Sequence, residues 1–212
     1  NVLKTRCYNV TILKQKGDVK CRMCGSSSET VGHLVSACDK LAQRDYRRRH
    51  DRMGLRVYWE LCGKYGIRRA DRWFEETPDA IRVSQDGMYE IWWDKKVITA
   101  KVLEHNRPDV VVIDREKARW TMVDFSVPFD ANVVSKENEK TRKYEKLATE
   151  VSREHRVTTI IIPIVVGALG TVSRNLAGGL TRLGIGDVVG GLQMSAVIGT
   201  TAILRKVLST CA

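Results

Sequence analysis

The segment from Cys21 to Cys38 places three cysteines and one histidine in the pattern Cys21-x2-Cys24-x8-His33-x4-Cys38. Thiolate sulfur and imidazole nitrogen are ligands that Zn²⁺ prefers, and four protein ligands complete a tetrahedral, structural site. Gly25 follows the second cysteine and permits the tight turn that presents two thiolates together. The alternative is that these cysteines fall together by chance, but four ligands at these spacings disfavour it. We therefore predict that this segment is a CCHC zinc finger.

The other cysteines and the overall charge point to an intracellular, nucleic-acid-binding chain. Cys7, Cys62 and Cys211 are scattered, unlike the cysteines of a secreted disulfide framework, and a metal site in a reducing compartment is the better interpretation. The sequence has 36 Lys and Arg against 25 Asp and Glu, a net charge of +11, which favours a polyanionic partner. No membrane partner is expected, because the longest apolar stretch, residues 157–169, is too short to span a bilayer.

An arginine block follows the cysteine segment, in a stretch with helical periodicity. Its members are Arg44, Arg47, Arg48, Arg49 and Arg52. One interpretation is that these side chains bind nucleic-acid phosphates, which positions a nucleic acid without reading its sequence. The other interpretation is a solvated helix face.

The second half of the sequence alternates predicted strands and helices. Residues 71–96 are rich in aromatic side chains, and their pattern favours no single assignment. Beyond them, apolar runs and helical periodicity predict strands at 97–103, 108–114, 120–127 and 157–170 and helices at 132–155, 173–187 and 191–209. This order is typical of the α/β class.

Two carboxylates interrupt the apolar strands of the hairpin at residues 107–128. Asp109 precedes one apolar run and Asp124 lies within the next. Side chains alternate along a strand, so antiparallel pairing can bring the two acids side by side on one face. Two close carboxylates repel each other unless a cation lies between them, and oxygen ligands suit Mg²⁺ or Mn²⁺. The hairpin therefore predicts a divalent-metal site.

A lysine on the following helix completes this predicted site. The restriction-nuclease pattern PD…(D/E)xK places a lysine two residues after the second acid, but Ser126 occupies that position. Lys140 shares the apolar stripe of the helix with Tyr144, within a sector of about 40°, and Lys143 lies at the flank. A lysine on a core-facing stripe needs an acidic partner, which the two acids would supply. The alternative is that Lys140 extends past the edge of the core to solvent.

Together these motifs resemble the C-terminal region of site-specific non-LTR retrotransposon proteins that carry a restriction-like endonuclease. Those proteins place a CCHC zinc finger before a Lys/Arg-Pro-Asp…Asp nuclease core, with the lysine displaced onto a helix in a Glu-Lys-x-x-Lys-Tyr context. This sequence has the finger at 21–38, RPD at 107–109, the second acid in VDFSVP and EKTRKY at 139–144. The resemblance covers roughly residues 20–208.

The resemblance implies an α/β fold with a PD-(D/E)XK restriction-like endonuclease core, a mixed central sheet flanked by helices. Residues 97–212 would form this core, after a zinc finger in 1–40 and a basic helical and aromatic linker region in 41–96. Asp109 and Asp124 would be the metal-binding catalytic acids and Lys140 the relocated lysine, with Lys143 and Tyr144 as auxiliary residues. The N-terminal glutamate of many related cores is not identifiable, and Glu90 and Glu104 are candidates.

The implied function is a Mg²⁺- or Mn²⁺-dependent DNA endonuclease that acts in the nucleus. It would nick target DNA so that the freed 3′ hydroxyl primes reverse transcription. Its partners would be the target DNA, the element RNA and an upstream reverse transcriptase domain of the same polyprotein. No Tyr-x-Asp-Asp motif occurs in the sequence, so reverse transcriptase activity is not expected on this chain.

Two other functions remain open at this point. The first is a zinc-containing nucleic-acid-binding module whose nuclease core is inactive or repurposed. The second is a housekeeping zinc protein of the translation apparatus, in which the paired acids and Lys140 would have no use. The presence of Asp109, Asp124 and Lys140 together favours the nuclease.

Overall fold

The chain forms a five-stranded mixed sheet with helices on both faces, and the structure, a computed structural model, describes residues 3–209. The helices are α1 (Arg6–Thr11), α2 (Val31–Ser36), α3 (Asp39–Leu41), α4 (Arg47–Lys64), α5 (Val133–His155), α6 (Arg174–Leu183) and α7 (Val189–Ser209). The strands are β1 (Ile81–Val83), β2 (Tyr89–Trp93), β3 (Val110–Asp114), β4 (Arg119–Ser126) and β5 (Thr158–Val165). A π-helical turn, Ala42–Tyr46, joins α3 to α4.

The strands lie in the order β1-β2-β3-β4-β5. The first four pair antiparallel, and β5 returns through α5 to lie parallel to β4. In this register Val110 is opposite Val123, which places Asp109, the residue before β3, next to Asp124 on β4. The predicted α/β class and helix-flanked mixed sheet are confirmed.

The central strands are apolar on both sides because helices cover both faces of the sheet. On β3, Val110 and Val112 pack into a core with α4, α6 and α7, whereas Val111 and Ile113 pack against α5. The α5 side of this second core consists of Tyr144, Leu147, Ala148 and Val151. The stripe that the sequence predicted on this helix therefore does face the sheet.

The first half of α4 lies unusually close to the sheet at Gly54. A Cβ atom at this position would lie 2.8 Å from Cε2 of Phe125 on β4 and 3.0 Å from Cη2 of Trp93 on β2. Phe125 belongs to the main core and Trp93 packs against it, so neither ring can move freely. The missing side chain allows α4 to bring His50, one turn earlier, to the start of β3 and the end of β4.

Replacing Gly54 with alanine is expected to lower the free energy of unfolding by about 1–3 kcal/mol, the usual cost of overpacking a core. The matched control is Gly178→Ala in α6, where an added Cβ meets no atom within 4 Å. That change is expected to stabilise the protein by up to about 1 kcal/mol through helix propensity. Thermal unfolding followed by circular dichroism measures both, and equal midpoints for the two variants would contradict the close approach.

One sequence-based prediction of secondary structure needs correction, and one unassigned stretch can now be assigned. Residues 97–103 form no strand; they belong to a loop, residues 94–109, between β2 and β3. Both edges of β3 are already paired, and Val97 donates its N–H to Asn106 within the loop instead. Conversely, the unassigned stretch 71–96 contains β1 and β2, so the sheet includes residues that the sequence placed in the linker region.

Helix α7 is long and apolar. With the preceding turn it spans Gly186–Ser209, an 18-residue window of this span has a mean hydropathy of 1.4, and by length and composition alone it could cross a membrane. Its buried side chains Leu192 and Ala196 pack into the main core, and Ile203 and Val207 pack against the cysteine segment. Core helices of globular proteins meet the same criterion.

Candidate active site and metal cluster

The four side chains of the predicted zinc finger come together in the structure. The ligand atoms of Cys21, Cys24, His33 and Cys38 all lie within 4.8 Å of one another. The Sγ atoms of Cys21 and Cys38 are 3.9 Å apart, and Sγ of Cys24 lies 3.3 Å from Nε2 of His33. This is a set of soft and borderline donors that could hold a zinc ion.

Local backbone structure explains how this cluster forms. Gly25 has a φ of +70°, which closes the turn after the second cysteine. Thr30 caps α2 by accepting a hydrogen bond from the N–H of His33, which fixes the histidine in the first turn. The hydroxyl of Tyr46 accepts the N–H of Cys38 at 3.0 Å and donates to the carbonyl of Leu34. The fourth ligand is thereby tied to α2.

The thiols of the cluster differ in acidity. Hydrogen bonds from the Ser26 hydroxyl and from backbone N–H groups lower the pKa of Cys24 to about 5. Burial, together with the charge of Cys21, raises the pKa of Cys38 to about 12. Closely packed thiolates repel one another without a cation, whereas a divalent metal would favour their deprotonated forms. The donor set therefore fits a metal better than it fits three free thiols.

Asp124 is the centre of the second cluster. Asp124 lies on β4 and is only 2% exposed. The side chains that contact its carboxylate come from α5. Lys140 forms an ion pair with Oδ2, Nζ of Lys143 is 3.5 Å from Oδ1, and the hydroxyl of Tyr144 donates to Oδ1 at 2.6 Å. Burial and the adjacent Asp124 raise the pKa of Tyr144, so its hydroxyl stays a donor. Lys140 thus faces an acid, as predicted, and does not extend into solvent.

Asp109 lies beside this cluster at the start of β3. Its Oδ2 accepts the backbone N–H of Phe125 at 2.6 Å and lies 3.2 Å from Nε2 of His50 on α4. Burial alone would raise the pKa of Asp109, but the His50 and Phe125 hydrogen bonds and the charge of Lys140 lower it. The carboxylate is therefore held ionised and in one orientation.

His50 is a site residue that the sequence did not reveal. Burial disfavours its cationic form, but hydrogen bonds to Asp109 and Asp51 outweigh burial and raise the pKa of His50 to about 9. In the sequence it stands at the end of the run Arg47–Arg49 and looks like one more member of the basic helix. Its contact with Asp109 depends on the close approach of α4 to the sheet.

The arginine block divides between a cleft, the outer surface and the core. A cleft of about 670 Å³ lies between α4 and residues 73–78, and Asp109 forms part of its wall. Arg47, Arg48 and Arg52 line this cleft together with the aromatic residues Trp73, Phe74 and Trp93. Arg52 lies over the ring of Trp73 at 5.0 Å, and Arg44 is exposed. Arginines next to aromatic rings that are at least partly exposed are typical of nucleic-acid-binding surfaces.

Arg49 has to be removed from the predicted phosphate-binding set. It is 2% exposed, and its guanidinium donates to Oγ1 of Thr200 on α7 at 2.8 Å and to the carbonyl of Val127 at 3.0 Å. Burial lowers its pKa to about 10. The side chain joins α4 to α7 and to the end of β4, so it is not available to a phosphate.

The two candidate glutamates do not contact the acids. Glu90 on β2 is paired with Arg115 and accepts a hydrogen bond from the indole of Trp92. Glu104 is exposed in the loop between β2 and β3. Neither glutamate therefore supplies a third carboxylate to Asp109 and Asp124.

Comparisons with known proteins do not assign the chain to a family. No family model and no curated protein matches the sequence. Among solved structures, the chain is similar to an N-terminal domain of a reptarenavirus L protein, with 17% identity and a TM-score of 0.36. The alignment covers 82% of this chain and 80% of that chain. A similarity of this size supports no argument about function.

Proposed function

We propose that this chain is the zinc-finger and restriction-like endonuclease region of a non-LTR retrotransposon polyprotein, and that it nicks DNA with the help of a divalent metal. The observation that carries the proposal is the environment of Asp124. A buried carboxylate on a central strand is contacted by Lys140, Lys143 and Tyr144 from one helix, and Asp109 lies at the adjoining strand end. Ionisable groups gathered in this way support a hydrolytic site.

In the proposed reaction, Asp109 and Asp124 would hold Mg²⁺ or Mn²⁺, which when bound supplies Lewis acidity and a water of lowered pKa. Tyr144 fixes the orientation of Asp124 through its hydroxyl, and the N–H of Phe125 does the same for Asp109. Lys140 would balance negative charge at the scissile phosphate and orient the attacking water. Lys143 would assist from the flank of the helix.

The zinc site in this proposal is structural. Cys21 and Cys38 pack with Leu34 and Leu41 against Ile203 and Val207 of α7. A zinc ion held by the four ligands would therefore join the N-terminal segment to the C-terminal helix and fix the start of α4. That helix carries both the arginines of the cleft and His50.

The partners and location follow from the same proposal. Target DNA would bind with its phosphates near Arg44, Arg47, Arg48 and Arg52, and element RNA and an upstream reverse transcriptase domain would complete the machinery. The site of action would be the nucleus. These assignments rest on the motif resemblance and on the basic, aromatic cleft beside Asp109.

One observation favours a second candidate function. The carboxylate of Asp124 is already engaged by two lysines and a tyrosine, so its charge is balanced without a metal. In that case the chain would be a catalytically inactive, zinc-containing nucleic-acid-binding module. Incubating the purified, zinc-loaded protein with supercoiled plasmid separates the two functions. Mg²⁺-dependent conversion to nicked circles supports the nuclease, and its absence supports the binding module.

Replacing His50 with alanine is expected to lower the nicking rate by about 10–100-fold, the usual effect of removing a group that orients a metal ligand. Because His50 orients Asp109, a larger Mg²⁺ requirement should accompany the loss. The conservative variant His50→Gln retains a donor and should recover part of the rate. Rates measured across a Mg²⁺ titration test this, and an unchanged Mg²⁺ requirement in His50→Ala would contradict a positioning role.

A further inference from the structure

A second basic groove lies on the other side of the two acids from the arginine cleft. It has a volume of about 680 Å³ and separates the loop at residues 94–109 from α5. Its basic lining is Lys101, Lys140, Arg142, Lys143 and Lys146, against the acids Glu104 and Glu139. Five permanently cationic side chains therefore face two carboxylates. A concave surface with one predominant charge attracts a polyanion.

The loop wall of this groove is anchored to the rest of the fold. Val97 is buried in the core on the α5 side of the sheet, and Leu103 packs against the same core. The backbone N–H of Ala100 donates to Oε1 of Glu154 on α5 at 2.9 Å. Lys101 lies between these anchors, so the loop presents its charge towards α5. The groove is thus formed by two connected elements.

The cations of this groove differ from the other cations of α5. Lys136 pairs with Glu139 one turn away, and Arg153 pairs with Glu150. Within the described residues 3–209, Lys101, Arg142 and Lys146 have no carboxylate partner. Unpaired cations collected in one concavity repel one another, and this repulsion is relieved when phosphates bind between them.

The position of the groove indicates which phosphates it would take. Lys140 and Lys143 belong to its lining and also contact Asp124. The arginine cleft, in contrast, reaches Asp109 from the α4 side. The two acids therefore lie between two basic surfaces. We propose that the groove binds the backbone phosphates of target DNA on one side of the cleavage position, with Lys101, Arg142 and Lys146 as its contacts.

This proposal depends on the proposed nuclease function for its partner, but binding can be tested without cleavage. The affinity of the protein for a short labelled DNA duplex would be measured at increasing salt, with zinc retained and Mg²⁺ omitted. The test variant is Arg142→Ala/Lys146→Ala. The matched control is Lys117→Ala/Arg205→Ala, which removes one lysine and one arginine from exposed positions outside the groove.

The test variant is expected to reduce the slope of log K against log salt by about 1.8, since each phosphate contact contributes about 0.9. The control should keep the wild-type slope. Equal slopes in the two variants would overturn the proposal, as would a loss of affinity for an RNA duplex without a loss for DNA. A reduced slope in a protein that never nicks plasmid supports the groove and rejects the nuclease. Efficient nicking by the wild type, with an unchanged slope in the test variant, supports the nuclease and rejects the groove.

Discussion

Asp124→Asn is expected to reduce Mg²⁺-dependent nicking of supercoiled plasmid by about a hundredfold or more. The substitution keeps the size of a side chain that is buried on β4 but removes the negative charge that Lys140 and Lys143 contact. Metal-assisted stabilisation of the reaction is worth several kcal/mol, and each 1.36 kcal/mol corresponds to a factor of ten in rate. The rate of nicked-circle formation measures this effect.

Asp114→Asn provides the matched control. Asp114 is also a buried carboxylate on a central strand and is paired with Arg119, but it lies at the opposite end of β3 from Asp109. The Asp114→Asn protein should be somewhat less stable than the wild type but should nick plasmid at the wild-type rate. Circular dichroism would establish that both variants are folded. If Asp124→Asn nicks plasmid as fast as the wild type, the nuclease assignment is wrong.

Cys38→Ser is expected to reduce zinc content from one ion per chain to nearly none and to abolish the cooperative unfolding of the N-terminal segment. Apparent zinc-binding free energies in finger peptides are on the order of 10 kcal/mol, comparable to the whole stability of an ordinary domain. Cys38 is buried among Cys21, Leu34 and the α7 side chains, so the loss should also loosen α7. Metal analysis and thermal unfolding measure the two effects.

Cys7→Ser is the control for this experiment, because Cys7 is a cysteine in α1 outside the four-ligand cluster. It should retain both zinc and the wild-type unfolding midpoint. Adding a chelator to the wild type should reproduce the effect of Cys38→Ser. Purified, never-chelated wild-type protein without zinc would rule out the zinc finger.

Much of the second half of the fold was predictable because its signals are local. The apolar runs of β3 and β4 and the apolar stripe of α5 are patterns within single elements, and they were enough to place Lys140 towards the acids. Strands β1 and β2 were missed because their aromatic-rich sequence has no clear period. The stretch 97–103 has the composition of a strand, but β3 already pairs with β2 and β4.

The sequence by itself determined the two features whose parts are close along the chain, the Cys-Cys-His-Cys cluster and the face of α5 that carries Lys140 and Tyr144. Only the tertiary structure separated the members of the basic block in α4. It turned Arg49 inward to Thr200, 151 positions away, and brought His50 to Asp109, 59 positions away. Periodicity records which residues share a face, whereas the partner of that face depends on how the helices pack on the sheet. The packing of the loop at residues 94–109 against α5, which is also a tertiary contact, creates the second basic groove.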